Sequence, residues 1–221
     1  MTRTVVFDLD GTLADTSGDL LAAANACFVD LGLGELLDAG DAGTALRGGM
    51  AMLRLGFSRV AGFGEAAAEA EYPNLLKHYA GALDVHTQMY PGAMDAVGRL
   101  ASAGFAVAIC TNKPEGLAES LMSRLGVRGA FGALVGADTL PVRKPDPAPY
   151  FEAVSRVGGT RSLLVGDSMT DERTARAAGV PSVSVTFSPD AASREEMTPD
   201  AWLSDYAELP ELAERLIPLE G

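Results

Sequence analysis

The chain has 221 residues, enough for a domain of ordinary size plus a substantial insertion, and its 48% hydrophobic and 21% charged composition excludes a low-complexity disordered protein. A formal net charge of −13 disfavours nucleic acid and anionic membrane surfaces as partners, because both repel an acidic protein. A small anionic ligand would then need a local positive trap, and lysine occurs only at positions 77, 113 and 144.

In chain order, short β-rich runs alternate with helical segments, the pattern of a parallel sheet covered by helices. Strands are predicted at 5–8, 105–111, 133–136, 162–166 and 182–186, and helices at 92–103, 115–125, 148–157, 172–178 and 208–217. The stretch 15–89 breaks the alternation and reads as successive helices. The predicted fold is therefore α/β, a Rossmann-like doubly wound parallel sheet formed by 1–14 and 90–221, with 15–89 inserted as a helical cap. Polar, Pro and Gly residues at both crossovers suit a hinge.

The first strand runs into Phe7-Asp8-Leu9-Asp10-Gly11-Thr12-Leu13. Ligands in open α/β sheets bind beyond the carboxyl ends of strands, which is where Asp8 falls. Alternation in an extended chain sends Asp8 and Asp10 to the same side, and Gly11 permits a backbone path that a side chain would obstruct. The competing reading is an acidic turn built on Asp10-Gly11.

The next apolar strand ends in Thr111-Asn112-Lys113-Pro114, whose hydroxyl, amide and ammonium groups suit phosphate oxygens or, equally, the capping of the following helix. Arg143-Lys144-Pro145-Asp146-Pro147 sets a lysine in a proline-bracketed loop. There it either offsets carboxylate and phosphate charge or faces solvent. Leu163-Leu164-Val165-Gly166-Asp167-Ser168-Met169-Thr170-Asp171 closes a buried strand with two acids four apart, able to flank one site if a helix starts between them. Such oxygen-rich segments, without thiolate or imidazole, favour magnesium. The competing reading of Ser168 and Asp171 is a helix cap and a stabilising first-turn acid.

Taken together and in this order, the four segments resemble the signature motifs of haloacid dehalogenase superfamily phosphatases. The Thr111, Lys144 and Gly166-Asp167-Ser168 segments look particularly like those of phosphoglycolate phosphatases. The resemblance covers nearly the whole core and, in the cap, extends to position and helical character. It implies a phosphomonoester hydrolase in which Asp8 is the nucleophile and Asp10 the acid and base, with an aspartyl-phosphate intermediate. It further implies Mg2+ held by Asp8, the backbone carbonyl of Asp10 and Asp167, with Asp171 ligating directly or through water. Thr111, Asn112 and Lys144 would surround the phosphoryl group, and the cap would close over the core and select the substrate.

The expected substrate is a small phosphorylated metabolite, foremost 2-phosphoglycolate. Its carboxylate needs a partner outside the phosphate pocket, and Arg47, followed by Gly48 and Gly49, is the candidate; its other reading is a solvated helix-end cation. Asp10 weighs against a dehalogenase, whose branch lacks an acid there. A sugar phosphomutase shares the phosphoenzyme chemistry, but the cap segment after Thr16 lacks the histidine associated with that branch. A receiver-type signalling domain and a non-catalytic phosphate-binding protein are the binding alternatives. Cys27 and Cys110, in buried-looking segments, are assigned neither a disulfide nor a catalytic thiol. With no signal-peptide pattern and no membrane-length apolar run, a cytoplasmic monomer or homodimer is expected.

Overall fold

The computed structural model describes residues 2–190 and 194–219. Six parallel strands form one sheet: β1 (Arg3–Phe7), β2 (Ala106–Cys110), β3 (Ala133–Val135), β4 (Arg161–Gly166), β5 (Ser182–Val185) and β6 (Ala201–Leu203). Their spatial order is β3-β2-β1-β4-β5-β6. Strand order reverses between β1 and β4, so the crevice beyond their carboxyl ends is the topological switch point, where ligands of open α/β sheets bind. Register is continuous across it, with Phe7 opposite Ile109 on one side and Val165 on the other.

The inner strands carry apolar cores, such as Val5–Phe7 and Leu163–Val165, because both faces of a parallel sheet are covered. Val5, Val6 and Phe7 have no exposed surface. The sixth strand, β6, lies outside the sequence expectation. Its three residues are too short for any periodicity, and it forms an edge on which Trp202 is 41% exposed.

Residues 15–88 form a separate compact unit and residues 1–14 with 89–221 the other. The first holds helices α1 (Ser17–Asp30), α2 (Ala42–Ala45), α3 (Gly49–Ser58) and α4 (Glu65–Gly81). Its core packs Phe28 edge-on against Phe57, at 5.1 Å between ring centroids. Gly56 is required there, because a Cβ would fall 2.2 Å from the Phe28 ring. Asp19 closes the unit by accepting bonds from the backbone of His86 and Thr87 and from the Thr87 hydroxyl.

The sheet unit carries helices α5 (Ala93–Ser102), α6 (Glu115–Arg124), α7 (Ala148–Arg156), α8 (Met169–Ala178) and α9 (Leu209–Leu216). Tyr150, Ala153 and Val154 of α7 and Ala175 of α8 pack on Val6, Ala108 and Leu164 of the sheet. Helix α8 starts three residues before the predicted 172, since Ser168 and Asp171 form a capping box that satisfies the first-turn amides. Among the described residues, no helix is long and apolar enough to cross a membrane.

Candidate active site

Four chain segments converge at the carboxyl edge of the sheet. Asp8 directly follows β1, and its amide still bonds to Val165 O at 2.8 Å, so the sheet holds its backbone. The turn after it is tight: Leu9 O accepts from the amides of Leu13 and Ala14, at 2.9 and 3.1 Å. Gly11 adopts φ +78°, in the left-handed region where a side chain is strained.

Lys144 sits at the centre of the charge. Its ammonium donates to Asp171 Oδ1 at 2.6 Å and stands 2.9 Å from Asp8 Oδ1. The second contact is an ion pair, and beyond it this buried Asp8 oxygen has no hydrogen-bond partner among the described residues. Burial is the largest influence on Lys144 and acts to discharge it. Asp171 and Asp8 outweigh it and hold the ammonium above its ordinary range, so Lys144 remains a cation.

The second lysine of the sheet unit, Lys113, is also buried, and its ammonium meets both oxygens of Asp10, at 2.8 and 3.1 Å. Thr111 is buried at the end of β2, where its hydroxyl accepts from the Lys113 amide at 3.1 Å. Asn112 donates its side-chain amide to Lys144 O at 3.0 Å, which braces the loop carrying that lysine.

Asp171 divides its oxygens, Oδ1 to Lys144 and Oδ2 to the Ser168 hydroxyl at 2.6 Å. Gly166 makes room for it: a Cβ there would lie 2.3 Å from the Asp171 Cβ. The capping reading of Ser168 and Asp171 therefore holds, and the cap also brings the Asp171 carboxylate close to Asp8 and Asp167. Asp167 accepts from Ser188 Oγ at 2.6 Å on Oδ2 and from Thr12 Oγ1 at 3.4 Å on Oδ1.

Asp8, Asp167 and Asp171 are all buried, with potential ligand oxygens within 4.8 Å of one another. Burial first, then repulsion from Asp171, raises the Asp8 carboxyl to about 6 despite Lys144. Burial, Asp171 and Asp8 push Asp167 well above the carboxylate range as well. Three crowded carboxylates face one ammonium, and the Asp8 oxygen among them has no partner besides that ammonium among the described residues. This all-oxygen, anionic donor set fits a hard divalent cation.

The structure thus gathers Asp8, Asp10, Thr111, Asn112, Lys144, Asp167 and Asp171 onto the sheet unit. Arg47 belongs to the helical unit, where it is exposed in the turn between α2 and α3. Sequence reasoning missed Ser188 as the partner of Asp167 and did not foresee the pairing of Lys113 with Asp10. Ser188 had one usable signal, because it closely follows β5 and the strand-end rule applies there too.

Residues 2–179 match the family model described as haloacid dehalogenase-like hydrolase. A phosphoglycolate phosphatase of Mesorhizobium japonicum is 39% identical, over 98% of this chain and 97% of its own length. Another from Xanthomonas campestris is 40% identical, over 84% of this chain and 83% of its own. The crystal structure of a predicted phosphoglycolate phosphatase from Haemophilus somnus shares the fold, with a TM-score of 0.81, 24% identity and coverage of 96% and 97%. The chain is a member of the haloacid dehalogenase-like hydrolase family.

Proposed function

We propose that the chain is a Mg2+-dependent phosphomonoester hydrolase whose substrate is 2-phosphoglycolate. The observation that carries the reaction class is the buried Asp8 oxygen at a strand end, 2.9 Å from the Lys144 ammonium and otherwise without a hydrogen-bond partner among the described residues. The relatives named as phosphoglycolate phosphatases, similar over most of their length, support the substrate.

In this reading an Asp8 oxygen attacks phosphorus, the bond from phosphorus to the glycolate oxygen breaks, and Asp10 delivers a proton to the departing alkoxide. Asp10, now a carboxylate, takes a proton from the water that attacks phosphorus, and Asp8 is released. Lys144 offsets repulsion between the Asp8 carboxylate and the phosphate dianion, and keeps the attacking oxygen in place. Thr111 and Asn112, at the same strand edge, would contact phosphoryl oxygens. Asp8, the Asp10 carbonyl and Asp167 would hold Mg2+, with Asp171 bonding directly or through water. Bound there, the cation supplies positive charge to the phosphoryl oxygens. Arg47 is the proposed partner of the substrate carboxylate.

The test is phosphate release from 2-phosphoglycolate, sugar phosphates, nucleotides and p-nitrophenyl phosphate, with and without Mg2+. The reading expects Mg2+-dependent release with 2-phosphoglycolate preferred. Isomerised sugar phosphate without free phosphate would make the protein a mutase, and binding without turnover would make it a phosphate-binding protein.

A further inference from the structure

Asp167 is buried, yet its two oxygens are treated differently. Oδ2 takes a 2.6 Å hydrogen bond from the Ser188 hydroxyl, whereas Oδ1 has the longer 3.4 Å approach of Thr12. Charge-assisted O–H to carboxylate bonds at such a distance are the strong, orienting kind. Ser188 is itself buried, on the segment leaving β5.

That segment is held from three directions. Arg194 Nη1 donates to Thr186 O and, at 2.8 Å, to Ser188 O. The Phe187 ring lies between Tyr90 and Tyr206, at centroid distances of 4.7 and 5.4 Å. The Thr186 amide bonds to Leu203 O at 3.0 Å, tying the segment to β6. The hydroxyl is therefore presented to Asp167 from a fixed base.

We propose that Ser188 is a positioning residue for the divalent cation: it engages Oδ2 of Asp167, fixes the rotation of the carboxylate and leaves Oδ1 turned to the metal. The proposal rests on the reading above that Asp167 is a metal ligand. Outer-shell partners that orient a ligand raise affinity by holding it in its bound geometry before the metal arrives. A purely packing role for Ser188 would instead affect the stability of the fold and leave affinity alone.

The experiment is calorimetric titration of the metal-free protein with Mg2+ and with Mn2+, for wild type, Ser188→Ala, Ser188→Cys and Ser188→Thr, with thermal melts of each metal-free protein. Ser188→Ala should weaken metal binding by about 10- to 100-fold, the range for loss of an outer-shell partner. Ser188→Cys, close in volume but a poor donor, should follow it if the alanine variant does not fold. Ser188→Thr keeps the hydroxyl and should bind more tightly than either. Wild-type affinity in Ser188→Ala or Ser188→Cys overturns the proposal, as does a lowered melting temperature with unchanged affinity. Failure of the wild type to bind either metal would instead overturn the metal site itself.

Discussion

The ammonium of Lys113 spans both oxygens of Asp10, at 2.8 and 3.1 Å, with the lysine side chain 3% exposed and the aspartate 17%. A fork of this kind fixes where the proposed acid and base points. Lys113→Met, which keeps the apolar stem and removes the charge, should lower turnover by roughly tenfold or more, a fraction of what general acid–base catalysis supplies. Because the effect would run through Asp10, Lys113→Met combined with Asp10→Asn should be no slower than Asp10→Asn alone. Additive losses in this cycle would separate Lys113 from Asp10.

The raised Asp8 carboxyl gives a pH prediction for metal-free protein. Its value of about 6 in the fold exceeds the ordinary 3.8, so the folded state binds more protons between these limits. Stability from this group is then lost as pH rises from about 4 through 6. Asp8→Asn lacks the penalty, so its melting temperature should exceed that of wild type by a margin that grows over this interval. Added Mg2+ should raise the wild-type melting temperature more at pH 7 than at pH 5. A margin independent of pH would contradict the crowded-carboxylate account.

Gly166 gives a steric prediction. Gly166→Ala would place a methyl 2.3 Å from the Asp171 Cβ and 2.4 Å from its Cγ, so the side chain of α8 that pairs with Lys144 must shift. Overpacking of this kind costs about 1–3 kcal/mol, readable as a lowered denaturation midpoint. Activity should fall with it, since Lys144 loses its 2.6 Å partner. Wild-type stability and turnover would show that the strand end yields more easily than its packing implies.

The site acids were legible because each follows an apolar strand, where a carboxylate has no packing role and the sheet topology offers a ligand crevice. Asp8 and Asp167 are such positions, whereas Lys144 lies well past the end of β3 and was legible from its proline-bracketed loop. The link between Ser188 and Asp167 was not legible, since it depends on β4 and β5 pairing side by side, with the two residues 21 apart in sequence. Nor was the Lys113 pairing, which spans 103 positions and could as well have been a phosphate contact. The edge strand β6 escaped because three residues carry no period. The start of α8 at Met169 follows from the Ser168 cap, the reading that competed with the later boundary at 172.

Arg47 gives a kinetic prediction that rests on its chemistry. A guanidinium recognises a carboxylate through two parallel hydrogen bonds, and losing a charge-assisted bond costs roughly 1.5–3 kcal/mol, or about ten- to hundredfold in binding. Arg47→Ala should raise KM for 2-phosphoglycolate by that factor and largely spare p-nitrophenyl phosphate, which has no carboxylate. Equal losses on both would point to general damage of the helical unit, and no loss on either would remove Arg47 from substrate recognition.

The claim on which the mechanism depends is that phosphate passes through Asp8. The direct measurement is rapid acid quenching of enzyme turning over 2-phosphoglycolate with Mg2+, followed by peptide mass spectrometry. A phosphate mass should appear on the peptide containing Asp8, formed and lost at rates that support turnover, and be absent in Asp8→Asn together with phosphate release. Sustained Mg2+-dependent phosphate release by verified Asp8→Asn protein, with no phosphate on that peptide in the wild type, would contradict it.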